Sequence, residues 1–420
     1  MKVMVVGGGA REHAIAWKLR ASPRVTEIFT APGNTGTATL GTNLDVAAID
    51  VDGLLAAAKH NRIDLTVVGP ETTLEAGIVD RFRSEGMTIA GPSQAAARIE
   101  TSKAFAKELM LKYNIPTGKA ELFTSYESAS SYVEQAQMPV VIKADGLAAG
   151  KGVTVCETRQ IALEALREAM EDHTFGPAGD QILVEECLFG SEISVFTFTD
   201  GVHLSPLVSA CDYKRAGDGD RGPNTGGMGS YSPPRVWNDA LSDRIMLEIM
   251  APIVKALAEE GTPFRGVLYG GIILTSDGPK VIEFNARWGD PETQTVLPRL
   301  QSDLMDLYMA TTDGTVDETT VQWSEEACVG VVLASGGYPG DYKTGFPING
   351  LDGLDDGVSV FHAGTRNPHS GNFSVPITAG GRVLTVTATG NSVEQARQRA
   401  YNNVTRITFE GAEYRTDIAR

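Results

Sequence analysis

Two lysines set among glycines are the first residues of this sequence with an evident chemical use. In Val140-Val-Ile-Lys143-Ala-Asp-Gly146-Leu-Ala-Ala-Gly150-Lys151-Gly152-Val153, Lys143 closes an apolar strand and Lys151 lies in a glycine-rich loop leading to the next. Glycines let the backbone close on phosphate oxygens and ammonium groups neutralise them, so the pattern fits a polyphosphate. It is not a G-x-x-x-x-G-K-[ST] loop, because the spacing fails and Gly152 follows the lysine. In Val281-Ile-Glu283-Phe-Asn285 a period of two puts the carboxylate and the amide on one face. That pair suits a hard cation such as magnesium, which takes its other ligands from water and phosphate. Arg287, Asp290 and Glu292 follow directly, adding a cation and two acids for a phosphate and substrate site. Glu185, Glu186 and Leu188, with Glu192, could offer backbone groups to a purine edge and carboxylates to an amine or ribose. By themselves they fit an ordinary strand with surface acids better. Asp212, Lys214 and Arg215 open a polar, glycine-rich stretch to Pro234 that is long for a connector and reads as a binding loop.

These groups need elements to carry them. The first hundred residues alternate apolar runs (Lys2–Val6, Glu27–Thr30, Leu65–Val68, Met87–Ala90) with helical patterns (Glu12–Arg20, Asp52–His60, Leu74–Arg83, Gln94–Glu100), the rhythm of a parallel sheet with crossover helices. Turns at Gly7-Gly8-Gly9, Ala31–Asn34, Gly69–Glu71 and Gly91–Ser93 should converge on the carboxyl edge of that sheet, where open α/β sheets bind ligands. The Gly7–Glu12 turn offers free N–H groups to an anion, or is simply a tight turn. A dinucleotide fingerprint is disfavoured, since Glu12 stands where glycine is needed and Thr30-Ala31 where an acid should end the second strand. After a helix from Lys103 to about Tyr113, strands at Val140–Lys143, Val153–Cys156, Ile182–Glu186 and Ile193–Thr199 predict one antiparallel sheet with covering helices. Thr124–Glu127 and Ser392–Gln395 read as capping boxes. A hairpin spans Gly271–Leu274 and Lys280–Asn285, and a last unit begins near Ala327.

Composition narrows the rest. Lys+Arg 36 against Asp+Glu 53 gives a net charge of −17, which argues against coating nucleic acid through bulk charge. The four cysteines never form a C-x-x-C, and the six histidines have no ligand spacing, so a disulfide framework and zinc are not expected. The apolar run after Lys2 stops at Gly7, far short of a signal segment, and no other run approaches a membrane span. A soluble cytoplasmic chain is expected, without nucleic-acid or membrane partners and, lacking a long exposed apolar stripe, monomeric.

In their joint order, Gly7-Gly-Gly-Ala-Arg11-Glu12-His13, Ala31-Pro-Gly-Asn34, Val68-Gly-Pro-Glu71, Ser102-Lys103-Ala-Phe, the Lys143–Gly152 segment, Gly222–Gly229, Ile282–Gln294 and Gly336–Gly340 resemble the phosphoribosylamine-glycine ligase family over the whole length. The resemblance implies an ATP-grasp fold, mixed α/β and α+β. Its parts are an N-terminal parallel α/β domain (1–101), an ATP-grasp domain (102–315) with a mobile lid at about 120–190 and a central catalytic sheet, and a closing C-terminal α/β domain (325–420). It implies ligation of glycine to 5-phosphoribosylamine through a glycyl phosphate, with ATP as co-substrate and Mg2+ or Mn2+ as the metal. It further implies Lys103 and Lys143 on ATP phosphates and a flap with Gly146, Gly150, Lys151 and Gly152. Glu185, Glu186, Leu188 and Glu192 would take adenine and ribose, and Glu283 and Asn285 the metal. Arg287 would face the transferring phosphoryl group, with Asp212, Lys214, Asp290 and Glu292 on the glycine side. Gly8, Gly9, Arg11, Glu12, Asn34 and Glu71 would hold phosphoribosylamine. Ala10 and Thr72-Thr73 depart from the family pattern, and Tyr269–Leu274 lacks the acid common before the E-x-N strand, which leaves the number of metal ions open.

Overall fold

The computed structural model describes residues 1–147, 152–368 and 375–420. Alternating apolar runs and amphipathic segments at the N-terminus form a five-stranded sheet in the order Thr42–Asn43, Glu27–Pro32, Lys2–Gly7, Leu65–Val68, Ile89–Ala90. All its pairs are parallel. The strand order reverses between Lys2–Gly7 and Leu65–Val68, so the crevice of this sheet opens where the Gly7–Gly9 and Gly69–Glu71 turns leave adjacent strands. The helix expected over Leu74–Arg83 is two, Glu71–Glu75 and Ile78–Ser84, because Gly77 takes φ +78 between them.

The strand set expected as one antiparallel sheet divides. Val140–Ala144, Val153–Cys156 and Ile182–Glu186 join Ala120–Phe123 in a four-stranded antiparallel sheet. Helices Tyr126–Gln135 and Arg159–Met170 pack on it, and Val133, Ile142, Leu166 and Val184 belong to an apolar core of its own. Ser191–Thr199 instead enters a nine-stranded sheet. The crossing is at Gly190, where a Cβ would stand 2.1 Å from the Leu274 carbonyl oxygen, so only a bare backbone can turn there. The helix after Thr124 is capped one residue later than its sequence suggests, by Ser125, whose hydroxyl accepts from Ser128 N–H.

The large sheet runs Gly278–Asn285, Gly266–Thr275, Ser191–Thr199, Val208–Asp212, Gly229–Ser232, Ala327–Ser335, Arg382–Gly390, Val358–His362, and its ninth strand, Ala412–Glu413, pairs with Ala327–Ser335. The stretch read as a loop from Asp212 to Pro234 thus contains a small hairpin, Arg215–Gly217 with Arg221–Asn224, and then the strand that joins the central sheet to the C-terminal one. Gly229 makes this junction possible, since a Cβ there would come within 2.7 Å of the Gly330 carbonyl oxygen. One apolar cluster mixes Met4, Val6 and Phe82 of the N-terminal layer with Ile193, Leu268 and Phe284 of the central sheet. No helix among the described residues is long and apolar enough to cross a membrane.

Candidate active site

The strand Gly278–Asn285 carries the proposed metal residues. A bulge opposite Gly271 and Ile272 leaves Glu283 and Asn285 half-buried on one face while Phe284 is buried on the other. Burial opposes ionisation of Glu283, yet Lys214, Lys143, Lys103 and Arg287 together hold its carboxyl below the ordinary range. A carboxylate kept anionic, on one face with an amide carbonyl, is an oxygen donor set that would fit magnesium.

Each of those cations is fixed by another element. Lys103, at the start of helix Lys103–Lys112, donates to the Gly146 carbonyl at 2.8 Å. Asp145, whose role the sequence left open, accepts from Ala104 N–H at 3.1 Å and from the Ser102 hydroxyl at 3.2 Å, so it ties the flap's first residues to that helix. Gly146 takes φ +131 and would meet Ala178 if it had a side chain. Gly152 accepts from Ala144 N–H at 2.8 Å, and Gly150 and Lys151 lie outside the described residues.

Lys143 pairs with Glu185 at 2.8 Å and donates to the Ile282 carbonyl at 3.1 Å, which links the small sheet to the metal strand. The other oxygen of Glu185 lies 3.4 Å from Lys107, which also donates to Thr117 Oγ1 and the Gly118 carbonyl. The Glu185 side chain is therefore committed to two lysines rather than open to a ribose. Sequence reasoning missed Lys107, although its place one turn after Lys103 was visible. Glu186 is exposed and accepts from Lys119 N–H at 3.2 Å. Leu188 lies against Gly118, and exposed Glu192 pairs with Lys214 at 3.1 Å.

On the far side of Glu283, Asp212 holds the Lys214 ammonium well above the ordinary lysine range against burial. Burial, with the charges of Glu192 and Glu283, pushes Asp212 up, and Lys214 opposes that shift. Glu292 is buried under Gly289, accepts from the Ser194 hydroxyl at 3.0 Å, and is pushed up to about 7 by burial and then by Asp212. Asp290 accepts from Gln294 at 2.7 Å and pairs with Arg382 at 3.1 Å. Arg382, from the C-terminal sheet, also donates to the carbonyls of Gly226 (2.6 Å) and Asp290 (2.9 Å), so it clamps the glycine-rich turn to Asp290.

The N-terminal crevice meets this site through arginines. Arg287 Nε lies 3.2 Å from Glu71 and its Nη2 2.6 Å from Glu100, and Arg11 lies 3.8 Å from Glu71. The charges of Arg287 and Arg11 pull Glu71 down to about 2 although burial acts the other way. Glu12 folds back to accept Gly9 N–H at 2.7 Å and Arg11 Nε at 2.6 Å, so its carboxylate takes one N–H of the turn and stands at the helix N-terminus. The Asn34 side chain likewise serves the loops. Its Nδ2 donates to Gly8 O (2.9 Å) and His362 O (2.6 Å), and its Oδ1 accepts from Gly36 and Thr37 N–H. The Gly8–Gly9 turn, Arg11 and Glu71 do come together at the crevice with Asp290, whose Oδ2 would lie 3.6 Å from a Cβ at Gly9.

One ligand-like group was invisible in sequence spacing. Asp200, His203 and Asp317 bring ligand atoms within 4.8 Å of one another. Asp200 is occupied there by the N–H groups of Val202, His203 and Val316, so it caps a turn.

A small antiparallel sheet and a large one, with two lysines from opposite sides and an E-x-N strand between them, define an ATP-grasp protein. The chain belongs to the phosphoribosylglycinamide synthetase family. The family's N domain matches residues 1–100, its ATP-grasp (A) domain 101–293 and its C domain 328–420. It is 48% identical over 418 residues to a phosphoribosylamine–glycine ligase of Halalkalibacterium halodurans, covering 100% of this chain and 96% of that protein. The ligase of Yersinia pestis is 49% identical over 423 residues, covering 100% and 98%. The crystal structure of the Thermotoga maritima ligase superposes with a TM-score of 0.87 at 32% identity, covering all of both chains. Biotin carboxylase of Campylobacter jejuni shares the fold, with a TM-score of 0.74 at 12% identity over 98% of this chain and 92% of that one.

Proposed function

We propose that the protein joins glycine to 5-phosphoribosylamine at the expense of ATP, which is converted to ADP and phosphate, forming glycinamide ribonucleotide. The observation that carries this is the gathering of Lys103, Lys143, Lys214 and Arg287 about the single carboxylate of Glu283. A carboxylate resists nucleophiles until one oxygen is phosphorylated, and the phosphoryl group in flight needs such cations to spread its charge. Lys103 and Lys143 bind and orient the ATP phosphates, and the flap that begins at Gly146 would cover them. Adenine and ribose lie along Glu185–Leu188 and Glu192, through the strand's backbone at Glu185. Glu283 and Asn285 would hold Mg2+ or Mn2+, which when bound neutralises the transferring phosphate. Arg287 faces that phosphoryl group from the crevice side.

A glycine carboxylate oxygen attacks the γ-phosphorus and ADP leaves, giving glycyl phosphate. The amine of phosphoribosylamine, held near Gly8, Gly9, Arg11 and Glu71, then attacks the glycyl carbonyl, loses a proton and expels phosphate. Asp212, Lys214, Asp290 and Glu292 line the glycine side. The small sheet over 120–190, a separately packed unit, excludes water that would hydrolyse the acyl phosphate. The units 1–101, 102–315 and 325–420 act as substrate crevice, ATP-grasp core and closing domain, in a cytoplasmic monomer.

The test is coupled ADP release with ATP, magnesium and glycine, with and without fresh phosphoribosylamine. Turnover that needs both substrates and collapses in Glu283→Ala supports the reading. ATP binding without such turnover transfers the chemistry to another amine or carboxylate.

A further inference from the structure

Two carboxylates hold Arg287, and they differ in kind. Glu71 reaches Nε at 3.2 Å, its side chain is 30% exposed, and it is shared with Arg11. Glu100, on helix Gln94–Thr101, is 5% exposed and meets Nη2 at 2.6 Å through one oxygen, while its other oxygen accepts Ala286 N–H at 2.7 Å. A single buried carboxylate therefore grips both the guanidinium and the backbone just before it. Arg287 Nη1 completes the hold by donating to the Trp288 carbonyl at 3.1 Å. Burying an acid at this depth is costly, and an apolar contact of equal volume would stabilise the fold at least as well. What the acid adds is direction, since a planar guanidinium paired on two edges has one orientation left. No motif in the sequence points to Glu100.

We propose that Glu100 is a positioning residue for the reaction, fixing the rotation and depth of the Arg287 guanidinium toward the phosphoryl group. The proposal rests on the ligase reading above and on the phosphoryl role given there to Arg287.

A double-mutant cycle in kcat tests it, with Glu100→Gln, Arg287→Ala and the double variant assayed for turnover with all three substrates. Displacing a group by about 1 Å at a reacting centre costs about 10–100-fold, and that is the expected loss of kcat in Glu100→Gln. KM for ATP and for glycine should change by less than about twofold, because neither substrate touches Glu100. In the Arg287→Ala background the same change should cost less than about twofold, since Glu100 acts only through the arginine. Glu100→Asp, one methylene short but charged, should recover part of kcat, and it carries the cycle if Glu100→Gln does not fold. Losses that multiply in the double variant, or raised KM values with kcat intact, would overturn the proposal. Wild-type kcat in Arg287→Ala would remove the arginine's role and this proposal with it. The ligase reading would survive that result if turnover still required glycine and phosphoribosylamine.

Discussion

At the scale of single residues, the site is a set of buried charges each answered by a named partner. Lys107 shows the consequence, because with Lys143 it holds the one carboxylate of Glu185. Removing Lys107 takes away one of the two cations that answer this carboxylate and leaves the Lys143 pair, at a cost of about 2 kcal/mol for the lost charged hydrogen bond. Lys107→Met should therefore lower the thermal midpoint and weaken ATP binding together, read by calorimetry and by nucleotide titration; an unchanged midpoint would mean that Glu185 is satisfied by Lys143 alone. Glu292 makes the opposite case. Its carboxyl is raised from 4.5 to about 7 in the fold, so its contribution to stability is fully present below pH 4.5 and is lost as pH rises through about 7. Glu292→Gln keeps an acceptor for Ser194 and cannot ionise. Its stability relative to wild type should climb across that window, by up to about 1.4 kcal/mol for each pH unit, and level off above it. A relative stability that falls over that range would show an ionised Glu292.

At the scale of elements, most helices and strands were legible because their periodicity is local. The strand Leu65–Val68 falls where its apolar run predicts, and the helix expected over Gln94–Glu100 ends only one residue later. Departures occur where a distant backbone sets the rule, as at Gly190 against Leu274 or Gly229 against Gly330. The Asp212–Pro234 stretch read as a loop because its polarity hides the short strand Gly229–Ser232, which is buried only by pairing on both sides. Arg382 holds the glycine-rich turn just before that strand against Asp290 from the C-terminal sheet. Arg382→Ala should raise KM for glycine about 10-fold through misplacement of the turn, with the melting profile retained. Unchanged glycine kinetics would separate that turn from the glycine side.

At the scale of the whole molecule, the N-terminal crevice and the C-terminal sheet meet through histidines. His362 N–H donates to His13 Nδ1 at 2.9 Å, which requires a neutral His13 ring. Burial, with the charge of His362, lowers His13 to about 3, and burial lowers His362 to about 4. An unfolded histidine titrates near 6.5, so the unfolded chain takes up protons first as the solution is acidified. Stability from this contact is present above pH 6.5 and lost as pH falls toward 4. Denaturant midpoints should drop over that window, and His13→Gln, which cannot charge, should flatten the slope. An unchanged slope would mean that the two ends of the chain are joined elsewhere.

The sequence by itself determined the local parts, the alternation of apolar runs and helical patterns at the start and the E-x-N strand, each of which depends on residues within one or two turns of one another. The order of motifs along the whole chain carries the family resemblance. Tertiary structure alone decided which charges face each other. It committed Glu185 to Lys107, Glu12 to its own helix N-terminus and Glu100 to Arg287. The Glu100 carboxylate and the Ala286 N–H it accepts stand 186 residues apart. Electrostatic partnership depends on distance and burial in space, and neither is written in the spacing along the chain.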